Sequence, residues 1–134
     1  MLFPRTILKG NPPSQKTIDS LKAILTKSKN NHQRIGILNQ LSRVERDREN
    51  GNRKLSLEYA KTAISISNEL NYDKGKADAL LNIGITEREL GNYNNALVHL
   101  QELLQISNKI GNIKTKGDAY DNMGHIFLVN NDQE

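Results

Sequence analysis

Apolar residues along this chain recur every three or four positions over long stretches, and none alternates with period two over strand length. Residues 73–90 place Ala77, Leu80, Ile83, Gly84 and Leu90 on one stripe. Residues 93–110 do the same with Ala96, Leu97, Leu100, Leu103, Leu104 and Ser107. Gly91 and Gly111 follow these stripes as residues able to take positive φ, and Asn92 suits an N-cap. The same grammar predicts helices over 53–70 and 113–129. Ser14 is expected to cap a helix over 15–29 bearing Ile18, Leu21, Ala23, Ile24 and Leu25. Asn31 is expected to cap another over 32–50 bearing Ile35, Leu38, Leu41 and Val44. The pattern predicts an all-α protein of about six helices.

The stripes repeat. Residues 45–84 align on 85–124 without gaps, and 14 of 40 positions are identical, where unrelated segments share about 2–3. The identities include Gly51/Gly91, Asn52/Asn92, Ile66-Ser67-Asn68/Ile106-Ser107-Asn108, Ala79/Ala119, Asn82/Asn122 and Gly84/Gly124. Further upstream, forty-residue spacing puts Arg43 and Val44 where Ile83 and Gly84 sit. A shift of two instead aligns Ile35, Leu38, Leu41 and Ser42 with Ala77, Leu80, Ile83 and Gly84, restoring both the stripe and the small residue. That register requires two extra residues in the helix or turn through Arg43–Asn50. A glycine inside a helix costs about 1 kcal/mol against alanine, so Gly84 is expected to mark close approach of a neighbouring helix, with Ala96 packed against it.

Gly84 to Leu97, reading G-I-T-E-R-E-L-G-N-Y-N-N-A-L, resembles the tetratricopeptide repeat family. The forty-residue period and the I-S-N-K-I-G-N before the next helix are similar to the longer variant of Pins-type adaptors and bacterial sensor and regulator proteins. The resemblance implies a right-handed superhelical solenoid of antiparallel helix pairs. The resemblance covers about residues 31–134; together with the helix that Ser14 is expected to cap, it divides the chain into an extended segment 1–13 and a repeat domain 14–134. Within the domain come a leading helix 14–30, a degenerate repeat 31–70, a repeat 71–110 and an incomplete repeat 111–134. It also implies that the first helix of each repeat lines a concave, ligand-binding surface. That surface is expected to carry Gln40 from the first repeat, and Asp78, Leu81, Asn82, Ile85, Arg88 and Glu89 from the next. Asp118, Asp121, Asn122, His125 and Leu128 are expected from the last.

Asn82 and Asn122 share one repeat position, with Gln40 below them in the shifted register. The resemblance implies that such an amide holds a ligand's backbone; the alternative is a helix–helix hydrogen bond that fixes the stack. Asp78, Asp118 and Asp121 would favour a ligand carrying Lys or Arg between apolar residues. The clamp that chaperone-binding members of the family use for a terminal carboxylate is missing. Its positions, one turn either side of the small residue, read Leu81/Ile85 and Asp121/His125.

Composition narrows the chemistry. The chain has 134 residues and a formal net charge of +4, and six cations against one acid in residues 1–30 carry about +5 of it. Cysteine and tryptophan are absent and aromatics make up 4%. Thiol chemistry and thiolate metal sites are therefore excluded, and base-stacking platforms are poorly supplied. Nucleic acid is disfavoured as a partner, and no apolar run approaches the ~20 residues that span a bilayer. The N-terminus lacks a signal-like apolar core, so the cytoplasm is expected, with the periplasm left open.

His32, His99 and His125 fall in different helices, and no Ser-His-Asp, HExxH or phosphate-cradling glycine motif occurs. Asp118, Asp121 and His125 share a helix face but too few ligands for a metal. Glu87/Glu89 and Asp47/Glu49 are expected on solvated faces. No cofactor, metal, small-molecule substrate or catalysis is expected. The expected function is a protein-interaction scaffold binding a peptide or partner protein, as the regulatory part of a larger chain. Self-association through the solenoid ends, as a weak homodimer, is the alternative, and an RNA-binding solenoid the least favoured. Ile126, Phe127 and Val129 are expected to stand uncovered, giving a weak dimer or disorder beyond Leu128.

Overall fold

The computed structural model describes residues 14–132, so the expected segment 1–13 lies outside the described residues. Those residues form six helices and no strand: α1 (Gln15–Lys27), α2 (Asn31–Asp47), α3 (Arg53–Leu70), α4 (Asp73–Glu89), α5 (Tyr93–Ile110) and α6 (Ile113–Asp132). Each helix packs on the next in sequence. In addition α4 touches both α2 and α6, whereas among the described residues α3 and α5 do not meet. Short loops make successive helices antiparallel, so α2, α4 and α6 form an inner row and α3 and α5 an outer one. This is a helical solenoid.

Local chemistry sets the helix ends. The Ser14 hydroxyl accepts the Thr17 N–H at 3.2 Å. Asn30, one residue before the expected cap Asn31, accepts the Gln33 N–H at 3.0 Å. Asn52 and Asn112 cap α3 and α6 in the same way, at 2.9 and 3.0 Å. Asn92 holds the capping position of α5, but its side chain makes no capping bond. At the other ends, Gly91 and Gly111 take positive φ. Asn71, forty residues before Gly111, does so too at φ 52°, as a short polar side chain can. Tyr72 and Asn112 then donate back to the carbonyls of Ser67 and Ser107 at 2.9 and 3.0 Å, closing α3 and α5 alike.

The shifted register describes the first repeat. Both α2 and α4 contain 17 residues, and α3 and α5 both contain 18. The extra two residues lie in the loop 48–52, against 90–92 in the next repeat, and α2 ends at Asp47 rather than running to Asn50. The longer loop changes the task of its glycine. Gly51 has no positive φ; a Cβ there would run into the Glu45 carbonyl oxygen. Identical residues at 51 and 91 thus meet different constraints, one of space and one of dihedral angle.

Helix pairs meet where small residues face one another. Ser42 and Ser56 exchange hydrogen bonds, each hydroxyl donating to the other's carbonyl at 2.9 and 2.7 Å. Their counterparts are Gly84 and Ala96, both buried. A Cβ at Gly84 would lie 2.6 Å from Leu100 Cδ2 and 2.8 Å from Cγ, so Leu100, not Ala96, presses against the glycine. Around this contact Ala77, Leu80, Leu103, Ala119 and Ile126 complete a cluster joining α4, α5 and α6. A second cluster joins α1 to α2 through Ile18, Ile37, Leu41 and Val44. On α1, Ala23 and Ile24 face solvent instead of joining the stripe.

On the last helix the structure departs from expectation at Ile126 alone, of the three residues expected to stand uncovered. The helix continues to Asp132, and Ile126 is fully buried, while Phe127, Leu128 and Val129 are exposed. Gly124, the counterpart of Gly84, has nothing within 4 Å of a Cβ. Gly84→Leu is therefore expected to cost about 1–3 kcal/mol or more by overpacking Leu100. Gly124→Leu is expected to leave stability of the monomer unchanged or raised by up to about 1 kcal/mol through helix propensity. Urea midpoints of the two variants check the asymmetry; equal losses would refute it.

Candidate functional site

The inner row encloses an open hollow of about 530 Å³. Helix α2 contributes Gly36, Asn39, Gln40, Arg43 and Arg46; α4 contributes Lys74, Asp78, Leu81, Asn82 and Ile85; α6 reaches it through Lys114. These positions share a face because residues three and four apart stack along a helix. The fold brings Gln40, Asp78, Leu81, Asn82 and Ile85 of the expected set together at this hollow. Arg88, Asp118, Asp121, Asn122 and His125 lie outside its lining, further along the inner row.

Arginine–asparagine bridges cross from helix to helix. Arg46 of α2 donates from Nη1 to Asn82 Oδ1 at 3.0 Å, and Asn82 Nδ2 donates to the Asn39 carbonyl at 3.2 Å. One repeat on, Arg88 Nε donates to Asn122 Oδ1 at 3.0 Å, and Asn122 Nδ2 donates to the Asp118 carbonyl at 2.8 Å. Asn39 itself reaches forward, donating to the Gly75 carbonyl at 3.2 Å. Both repeat-equivalent asparagines are buried and engaged on donor and acceptor sides. Gln40, their counterpart in register, is exposed. The three amides therefore do not form one open ladder.

Charge on this face is largely committed. Asp78 pairs with Lys74 at 3.4 Å and Asp118 with Lys114 at 3.1 Å, each along its own helix. Two of the three carboxylates expected to select a basic ligand are thus paired within their own helices. Arg46 also grips Asp47 through Nε at 2.7 Å. Arg43 is exposed and forms no ion pair among the described residues. Asp121 and His125 are exposed on α6. No group of three or more His, Asp or Glu among the described residues is placed to hold a metal.

Glu87 departs from the solvated face expected for it. It is 5% exposed and its Oε2 lies 3.0 Å from His99 Nδ1 on α5. Its counterpart Glu45, also 5% exposed, accepts the backbone N–H of Asn52 at 2.9 Å. The signal was present in the shifted register, which superposes Glu45-Arg46-Asp47 on Glu87-Arg88-Glu89. Each triplet uses its first residue against the outer helix or its loop, and its second toward the next inner helix. Among the third residues, Glu89 pairs with Arg53 at 3.3 Å.

With this geometry the chain belongs to the class of all-helical repeat proteins. No family model matches its sequence, and a comparison with curated proteins found no match. No helix of the described residues is long and apolar enough to cross a membrane.

Asn82→Ala removes one hydrogen bond from the buried Arg46 guanidinium and one from the Asn39 carbonyl, so it is expected to lower stability by about 1–3 kcal/mol. Gln40→Ala, on the exposed counterpart, is expected to stay within about 0.5 kcal/mol of the parent. Denaturant titration of both variants tests whether the asparagine is structural.

Proposed function

We propose that this chain is a tetratricopeptide-like scaffold without catalytic activity. It binds an extended segment of a partner protein along α2, α4 and α6, in the cytoplasm and as the regulatory part of a larger protein. The observation that carries this reading is the hollow itself. Three non-consecutive helices contribute to it, and half-buried Leu81 and Ile85 lie beside exposed polar side chains. Such a surface offers apolar contact and orienting polar groups together. The repeat pattern and its resemblance support the assignment, because helical solenoids present extended surfaces of this kind.

The charge of the hollow favours an acidic segment. Four cations and one carboxylate line it, and Arg43 is the cation with no carboxylate of its own. A guanidinium offers a planar, two-pronged donor that suits a carboxylate side chain. Leu81 and Ile85 would then receive apolar residues flanking that carboxylate.

Two labelled peptides of equal length, one alternating Leu with Glu and one alternating Leu with Lys, test the reading by fluorescence anisotropy. The acidic peptide is expected to bind more tightly, with affinity that falls as salt rises. A hydrogen bond to a charged group contributes about 1.5–3 kcal/mol, so Arg43→Glu should weaken that peptide at least tenfold. Leu81→Ser, which removes apolar contact without adding charge, should weaken both peptides. Affinities indifferent to both substitutions would move the binding surface off the inner row.

A further inference from the structure

Helix α6 presents a face that α2 and α4 keep covered. Positions Ile35, Leu38, Ser42 and Glu45 of α2 are buried, as are Ala77, Leu80, Gly84 and Glu87 of α4. The same row on α6 reads Gly117, Tyr120, Gly124 and Phe127. Tyr120 is 53% exposed and Phe127 51%, and a Cβ built on either glycine meets nothing within 4 Å. The opposite side of α6 is packed into the fold through Thr115, Ala119, Asn122 and Ile126. The exposed row is thus an unfilled face on a helix otherwise held in place.

The row has a symmetry of its own. Gly117 and Phe127 stand five residues either side of Asn122, and Tyr120 and Gly124 stand two either side. Ile113 and Asn131 extend the pattern, each nine residues from the same point. The spacing alternates three and four, which is that of a coiled-coil seam. When two such helices run antiparallel about a twofold axis at the height of Asn122, each aromatic ring of one meets a glycine of the other. Rings become knobs and glycines become holes, and the absent side chains let the backbones approach. One surface supplies both halves of the contact, as a twofold interface requires.

We propose that this face pairs with the same face of a second copy, α6 against α6, in that antiparallel register. A helix resembling α5 fits less well. Docking of α5 on α4 engages the Glu87 carboxylate with His99, and α6 has Phe127 where α4 has Glu87. A fully buried aromatic side chain covers about 150–250 Å², and here two are half exposed beside Ile113 and Leu128. Each copy therefore contributes a few hundred Å², less than the ~800 Å² per partner of a tight complex. Asp121 lies at the edge of the row, so the two copies bring like charges near the axis. The dimer is weak and concentration-dependent.

Sedimentation equilibrium of the full chain, from micromolar to millimolar loading, is expected to show a mass rising from 15.1 kDa toward twice that value. Gly124→Leu fills a hole without touching the monomer's own packing. It is expected to weaken association at least tenfold without lowering the monomer's melting temperature, and Phe127→Ser to weaken it likewise by removing the knob. The chain has no cysteine, so the register can be read by cross-linking. A mixture of Tyr120→Cys and Gly124→Cys proteins should oxidise to the mixed disulfide faster than to either homodimer. A monomeric mass throughout would overturn the proposal and leave the face to a helix of another protein. A dimer that survives Gly124→Leu would overturn it by placing the contact elsewhere, and faster homodimer disulfides would overturn the register.

Discussion

Close approach between an inner helix and its outer neighbour is the constraint on which the rest of this structure depends. At Gly84 there is no room for a Cβ because Leu100 occupies the space. At the equivalent inner position of the first repeat, Ser42 achieves the approach by exchanging hydroxyl-to-carbonyl hydrogen bonds with Ser56, the counterpart of Ala96. Glycine within a helix costs about 1 kcal/mol, and burying a fully packed leucine contributes roughly 1.5–3 kcal/mol. The trade is favourable only if the helices come close. Once they do, each outer helix is fixed on its inner partner, and the inner helices line up as a row with the next one forty or so residues on.

That row carries a polar network which ties repeats to one another. Arg46–Asn82 and Arg88–Asn122 repeat the same bridge one step apart. Burying a guanidinium is costly unless its donors are met. Asn82 meets Arg46 with its oxygen while spending its amide on the Asn39 carbonyl. The side chains with the best hydrogen-bonding capacity on this face therefore serve the stack. What is left for a partner is apolar surface at Leu81 and Ile85 with the uncommitted Arg43 and Gln40 beside it. Selectivity would then rest on charge and shape, with little amide recognition of a ligand backbone.

The first repeat shows how a solenoid absorbs irregularity. Two additional residues enter the loop 48–52, and the helices on either side keep the lengths of their counterparts. A helix extended by two residues would turn its apolar stripe by about 200° at 3.6 residues per turn, which would break the packing face. A loop carries the same insertion at little cost. Gly51 then allows the longer loop to press against the end of α2.

The helical class, the forty-residue repeat, the two-residue shift and most helix boundaries were determined by the sequence alone. Each depends on local chemistry: three-and-four spacing, capping side chains, and glycine or asparagine at left-handed turns. The small residues at 42, 84 and 124 were legible as a repeat position. Their different surroundings were not, because close approach depends on which helix arrives opposite. Tertiary structure alone decided that Leu100 faces Gly84 while Gly124 faces open space, and that Glu87 leaves solvent to meet His99. It also decided whether Asn82 and Asn122 were free. Their pattern in the chain serves a ligand or a neighbouring helix equally well. Only the arrival of Arg46 and Arg88 from the preceding inner helix, across 36 and 34 residues of chain, committed them to the fold.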